Sequence, residues 1–238
     1  MPPATPSGPP VGAGSRYFLN DAWSGEANQA FAYGRASDTV FTGDWDGDGR
    51  DTLAVRRGAV LHVSNSFAGG RADVSVTYGR ADDVVLMGDW DGDGTDTPAV
   101  RRGNQYFVTN SLRGGTADAV VTYGRADDAV LVGDWDGDGR DTLGVRRGNT
   151  FFLKDSLRNG AADVTVAYGR ASDLVHVGDW DGDGVDTPAV RRGSTYYVSD
   201  SFRGGAADRT QTYGRAGDAT LVGDWDGDRR DTLGVRRH

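Results

Sequence analysis

The chain has 238 residues, a formal net charge of −9, no cysteine and 37 glycines. That composition excludes disulfides and thiolate metal sites, and it favours many short strands joined by tight turns. No apolar run is long enough to cross a bilayer as a helix, and the arginines recur singly or in pairs matched by aspartates, which is no nucleic-acid patch. Residues 1–13, MPPATPSGPPVGA, hold five of the seven prolines. They lack the charged start and apolar centre of a signal peptide and are expected to be a Pro/Gly-rich linker remnant. Lys154 is the only lysine among 26 basic residues, a usage expected of a GC-rich bacterial genome.

From residue 14 onward the chain is one motif written five times. GDWDGD begins at Gly43, Gly88, Gly133, Gly178 and Gly223, so copies of 45 residues tile 14–58, 59–103, 104–148, 149–193 and 194–238. Each copy holds four strand-like runs, which in the third copy are Tyr106–Asn110, Ala119–Tyr123, Ala129–Val132 and Thr142–Arg146. They are short, β-branched or aromatic, and bounded by Gly, Asp or Asn. The first run alternates, with Tyr106 and Val108 on one face and Phe107 on the other. Four strands in 45 residues is the size of one propeller blade. The expected fold is all-β: a five-bladed β-propeller of four-stranded antiparallel blades over residues 14–238. A linear array needs atypical polar end copies, which are missing here. The ring is expected to close by pairing N- and C-terminal strands, with residues 14–35 completing a blade with residues 216–238.

Between the strands, in chain order, stand four recurring connections. The first, Asn65–Gly70 or Asn110–Gly115, reads as a plain turn. The second is YGRA: Tyr33 and Arg35, Tyr78 and Arg80, Tyr123 and Arg125, Tyr168 and Arg170, Tyr213 and Arg215. An aspartate follows each arginine by three residues, at Asp38, Asp83, Asp128, Asp173 and Asp218. Two readings stay open: an arginine–carboxylate pair linking blades, or a polar and aromatic pocket that stacks on a sugar ring and bonds its hydroxyls. The third connection is the GDWDGD loop. The fourth is a pair of arginines, as at Arg56-Arg57, expected to put one guanidinium on an acid in the sheet and one in solvent, where a phosphate or uronate site is the functional alternative. His62 and His176 replace apolar residues singly and read as packing.

The loop carries the chemistry. In the first copy it runs Asp44-Trp45-Asp46-Gly47-Asp48-Gly49-Arg50-Asp51-Thr52. Oxygens at positions one, three, five and seven of a tight loop are the ligand pattern of an EF-hand-type calcium site, with glycine at six for the sharp turn. Position seven is Arg50, Thr95, Arg140, Val185 or Arg230, so a site accepting valine uses the backbone carbonyl there. The candidate ligands are Asp44, Asp46, Asp48, Arg50 and Asp51; Asp89, Asp91, Asp93, Thr95 and Asp96; Asp134, Asp136, Asp138, Arg140 and Asp141; Asp179, Asp181, Asp183, Val185 and Asp186; Asp224, Asp226, Asp228, Arg230 and Asp231. The loops hold 20 of the 35 acidic residues, and five Ca²⁺ would carry the net charge from −9 to +1. Arg229 stands where the other loops have glycine, so the fifth site is expected to be the weakest or empty. The loop tryptophans, Trp45, Trp90, Trp135, Trp180 and Trp225, either pack beneath their own loops or form a ring for sugar stacking.

The loop, the DTLGV-type strand after it and the blade-sized spacing together resemble the FG-GAP/VCBS repeats of integrin-type and bacterial propellers, over residues 14–238. The resemblance implies a calcium loop between the first and second strands of each blade, and it is similar in particular to lectin-like propeller modules of secreted bacterial proteins. That family carries its last acidic ligand at position nine. Here position nine is Thr52, Thr97, Thr142, Thr187 or Thr232 and the aspartate is at eight, so the aspartate, the threonine or water completes the shell. Polar residues repeated five times without a unique constellation argue against an enzyme. The expected function is a multivalent binding module for cell-surface or cell-wall carbohydrate, the targeting domain of a secreted protein. A protein-binding adhesion or assembly propeller with structural calcium is the alternative.

Overall fold

The computed structural model describes residues 16–237, so the linker read over 1–13 lies outside the described residues. Among the described residues there are twenty regular elements, all of them strands. Blade one is β3 (Thr39–Gly43), β4 (Thr52–Arg57), β5 (Val60–Ser64) and β6 (Val74–Thr77). Blade two is β7 (Val84–Gly88), β8 (Thr97–Arg102), β9 (Gln105–Val108) and β10 (Ala119–Thr122). Blade three is β11 (Ala129–Gly133), β12 (Thr142–Arg147), β13 (Thr150–Leu153) and β14 (Val164–Ala167). Blade four is β15 (Leu174–Gly178), β16 (Thr187–Arg192), β17 (Thr195–Val198) and β18 (Arg209–Thr212). Blade five is built from both ends of the chain: β19 (Ala219–Gly223) and β20 (Thr232–Arg237) continue into β1 (Arg16–Leu19) and β2 (Gln29–Ala32). Within each blade consecutive strands pair antiparallel, and Phe18 opposite Val235 marks the register of the closing seam. The first strands of the five blades touch their neighbours in sequence, β19 meeting β3, which makes a closed five-bladed propeller.

Burial explains the strand chemistry. The first two strands of a blade are sandwiched between neighbouring blades and buried on both faces, so they read as apolar runs such as Val85-Leu86-Met87. The outermost strand meets water and alternates, as in Val74–Thr77. The core lies between blades, in five separate clusters. One joins Phe41, Trp45, Leu61 and Val63 of blade one to Val85, Met87 and Val100 of blade two.

Three side-chain devices tie each blade to the next. The crossover tyrosine is buried, and its hydroxyl donates to a carbonyl of the following blade, as from Tyr33 to His62 at 3.0 Å and from Tyr213 to Phe18 at 3.0 Å. The first arginine of each pair reaches the following blade's YGRA turn: Arg56 donates to the carbonyls of Asp83 and Arg80, both at 2.6 Å. The turn after the third strand is a peg, because Phe67, Phe202 and Trp23 pack edge-on against Trp225, Trp135 and Trp180 of the preceding blade. Gly114 permits that approach, since a Cβ there would come within 2.6 Å of the Thr77 carbonyl oxygen. The turn read as a plain connection is thus an interlock between blades.

His176 occupies a first-strand position held by Phe41, Leu86, Leu131 and Leu221 in the other blades. It is buried, with its ring 5.9 Å from that of Tyr196. Burial, aided by the charge of Arg191, pushes its pKa down to about 3 from 6.5. The folded state therefore keeps it neutral, and below pH 6.5 the unfolded chain takes up a proton that the native one refuses. This contribution to stability is lost as pH falls through that window, by about 2 kcal/mol at pH 5. His176→Leu should narrow the gap between denaturation midpoints at pH 7 and pH 5, measured in the same calcium concentration; an unchanged gap would contradict this account.

Candidate metal centre

Each acidic loop joins the first strand of its blade to the second, so all five lie on one face of the ring. The position-one carboxylate organises the loop backbone. Asp44 accepts backbone N–H groups from Gly47 at 2.8 Å and Gly49 at 2.7 Å, with longer bonds from Asp46 and Asp48. Asp48 in turn accepts from the Arg50 N–H at 2.9 Å. This folds the loop so that Asp44, Asp46 and Asp48 each bring a carboxylate oxygen within 4.8 Å of the other two. The same triplets form at Asp89, Asp91 and Asp93; Asp134, Asp136 and Asp138; Asp179, Asp181 and Asp183; and Asp224, Asp226 and Asp228.

Like charges that close call for a cation. Burial first, and then the neighbouring carboxylates, push Asp46, Asp181 and Asp226 above the usual carboxylate range. Burial does the same to Asp89, Asp134 and Asp179 despite their backbone donors. An all-oxygen donor set of three convergent carboxylates suits a hard ion such as Ca²⁺. The residues present therefore fit one divalent cation per blade.

The remaining loop positions link one loop to the next. Thr95 lies 3.5 Å and Val185 3.2 Å from where a Cβ would stand on Gly47 and Gly137, the position-four glycines of the preceding loops. Those glycines have φ near +77° and +76°, so neighbour and backbone both demand glycine. The position-eight aspartates stand apart from the triplets. Asp96 Oδ2 accepts the Asp44 N–H at 2.8 Å while its own N–H donates to the Asp44 carbonyl at 2.6 Å, and the same exchange between Asp51 and Asp224 closes the circle. Burial pushes Asp51 up to about 6 and Asp141 to about 7. At position nine, the Thr97 hydroxyl donates to Thr109 O at 2.7 Å and that of Thr142 to Lys154 O at 2.5 Å, inside their own sheets.

The tryptophans are buried beneath their loops at 4% exposure or less, and the indole N–H groups of Trp90 and Trp180 donate to Thr97 O and Thr187 O. Of the two readings, packing is the one observed, and no ring of tryptophans faces solvent.

The YGRA motif needs two corrections. Tyr33, Tyr78, Tyr123, Tyr168 and Tyr213 are buried at 5% exposure or less and committed to blade-to-blade bonds, so they offer no ring for stacking. The arginine that pairs with the aspartate is the second of the Arg-Arg pair: Arg57 donates to Asp38 through Nε at 2.8 Å and Nη2 at 2.7 Å, within one blade. The Arg35 backbone, not its guanidinium, bonds Asp38. The other arginine of the pair, expected in solvent, is the first, and it holds the neighbouring turn instead. Arg35, Arg80, Arg125, Arg170 and Arg215 are exposed on the face opposite the acidic loops. A cleft of about 390 Å³ opens there, lined by Arg35, Ser37, Asp38, Arg56 and Arg57.

Arg229 is the one non-glycine residue with positive φ among the described residues, at +70°, where Gly49, Gly94, Gly139 and Gly184 sit at +83° to +88°. A Cβ at those four glycines meets nothing within 4 Å, so the cost of Arg229 is torsional and electrostatic, not steric. Arg229→Gly should stabilise the protein by roughly 1 kcal/mol and raise calcium affinity at one site. Calcium titration by calorimetry checks this, and a variant no tighter than the parent would refute it.

No protein-family model, curated protein or solved structure matches this chain.

Proposed function

We propose that this propeller is a calcium-stabilised, non-catalytic, multivalent binding module of a secreted protein, with carbohydrate of a cell surface or wall as its ligand. The observation that carries the reading is repetition on both faces. One face bears five acidic triplets suited to Ca²⁺, and the other bears five exposed YGRA arginines, one of them beside a formed cleft. Weak sites repeated on a rigid ring give avidity without a tight single site. The resemblance of the loops to FG-GAP/VCBS repeats supports the same assignment.

The cleft chemistry narrows the sugar. Arg57 is held by Asp38 and Arg56 by the next blade, which leaves Arg35 exposed to meet a ligand. A guanidinium matches a carboxylate or phosphate in two-point geometry. Acidic glycans, such as uronate- or phosphate-bearing polymers, are the favoured class.

The test is a screen of neutral and acidic polysaccharides in millimolar Ca²⁺ and in EDTA. Retention of acidic glycans, weakened when Arg35, Arg80, Arg125, Arg170 and Arg215 are replaced by Ala, supports the reading. A folded protein that retains no glycan in either buffer would overturn it and favour a protein partner.

A further inference from the structure

The residues that form the Arg35 cleft recur in every blade, and one wall position tells the five copies apart. In blade one that position is Ser37, two residues after Arg35 and on the cleft wall. The 45-residue repeat puts Asp82, Asp127, Ser172 and Gly217 in the same place, and all five residues are exposed. The other charges repeat unchanged. In each blade the buried aspartate next in sequence is paired with the second arginine at 2.6 or 2.7 Å. The first arginine is committed to the following blade's turn, as Arg56, Arg101, Arg146, Arg191 and Arg236 all show. The YGRA arginine and the residue two places after it are left to meet a ligand.

The two aspartates at this position act on their own clefts. The Arg102 pKa is raised first by its bond to Asp83 and then by the charges of Asp83 and Asp82. That of Arg147 is raised by its bond to Asp128 and then by the charges of Asp128, Tyr123 and Asp127. Arg57, beside Ser37, has Asp38 and Tyr33 in those roles and no further acid. Asp82 also acts on Arg56 across the blade boundary, behind burial and the charge of Asp83, but it is not on the wall of the blade-one cleft, where Ser37 is. We propose that Asp82 and Asp127 divide the ring into two classes of site: an anionic sugar fills the clefts of blades one, four and five first, and those of blades two and three are weaker because each carries a carboxylate on its own wall. The inference rests on the acidic-glycan reading of these clefts. A carboxylate a few ångströms from another at a wet surface costs roughly three- to tenfold in affinity, and salt screens that cost away. Serine at the same place carries no charge and offers a hydroxyl that can donate to the ligand.

The test is a titration of the whole chain with D-galacturonate, with neutral D-galactose as control, followed by NMR of the side-chain Nε–H signals of isotope-labelled arginine. Each YGRA arginine then reports on its own cleft. Arg35, Arg170 and Arg215 should shift at roughly three- to tenfold lower galacturonate than Arg80 and Arg125, and the gap should close in ~1 M salt. Asp82→Ser with Asp127→Ser should bring Arg80 and Arg125 into line with the other three, and Ser37→Asp should move Arg35 into the weaker class. These residues are exposed, so the variants keep the fold, and the titration of the parent needs no variant at all. Five arginines that respond alike in the parent would overturn this inference and leave the acidic-glycan reading standing. Galactose moving the same signals equally well would overturn it by showing that charge plays no part. No response to galacturonate at any arginine would overturn both.

Discussion

Chelating divalent cations should lower the melting temperature of this protein by roughly 20–40 °C. Calcium at a hundred times a site's dissociation constant adds about 2.7 kcal/mol per site, so four or five sites add about 10 kcal/mol. For a chain of this size each kcal/mol moves the midpoint by about 2–4 °C. With site affinities of ~10⁻⁴ M, typical of extracellular modules, calcium at about 10 mM reaches that regime. The physical cause is the acid on the loop face: five triplets of aspartates and the position-eight ring. Differential scanning calorimetry in calcium and in EDTA measures the effect directly. The effect should also depend on pH. The position-eight carboxyls have folded pKa values raised above 3.8, to about 6 in Asp51 and about 7 in Asp141. Without metal the folded state binds protons there that the unfolded state does not, so this stability is present at low pH and lost as pH rises through 6–7. EDTA should therefore cost more at pH 7.5 than at pH 5.

Removing β1 and β2 should abolish cooperative folding. These strands supply half of blade five and pair with β20 through Tyr17 opposite Arg236 and Phe18 opposite Val235. Tyr17 and Leu19 are fully buried. Each large apolar side chain returned to water costs about 1.5–3 kcal/mol, and four of them (Tyr17, Phe18, Leu19 and Phe31) approach the whole net stability of about 5–15 kcal/mol of a typical domain. The deletion also bares the long edge of β20, a template for aggregation. Far-UV circular dichroism of a chain starting at Tyr33 should show no sharp transition. A cooperative melt within a few degrees of the parent would mean that the seam does not hold the ring.

The fold was readable because the repeat is nearly exact. Five GDWDGD loops at equal spacing give the blade count, and the run 216–238 joined with 14–35 gives the closure, since neither part makes four strands alone. The aspartate triplets were readable for the same reason: alternate residues of one short loop need no tertiary information to converge. The arginines were not. Three stand within reach of Asp38, and the register that sets Thr39 against Arg56 is what brings Arg57 alongside it. The crossover tyrosines suggested a pocket because their hydroxyl partners lie 29 residues on, in the next blade. The position-eight aspartates face the same limit. Their role depends on the axis of the ring, where loops 45 residues apart meet, and a single loop carries no trace of it.

The loop tryptophans offer the most direct test of the central claim, that the five aspartate loops bind calcium. Each indole sits at position two of its loop, adjacent in sequence to two of the three grouped carboxylates. Tb³⁺ bound among those carboxylates would lie close enough for tryptophan to sensitise its emission. Titration with Tb³⁺ should give sensitised luminescence that Ca²⁺ displaces, and replacing Asp46 with Asn in one loop should remove about one fifth of it. Absence of sensitised emission, or emission that calcium leaves unchanged, would show that the loops are aspartate–glycine turns without metal and would contradict the account.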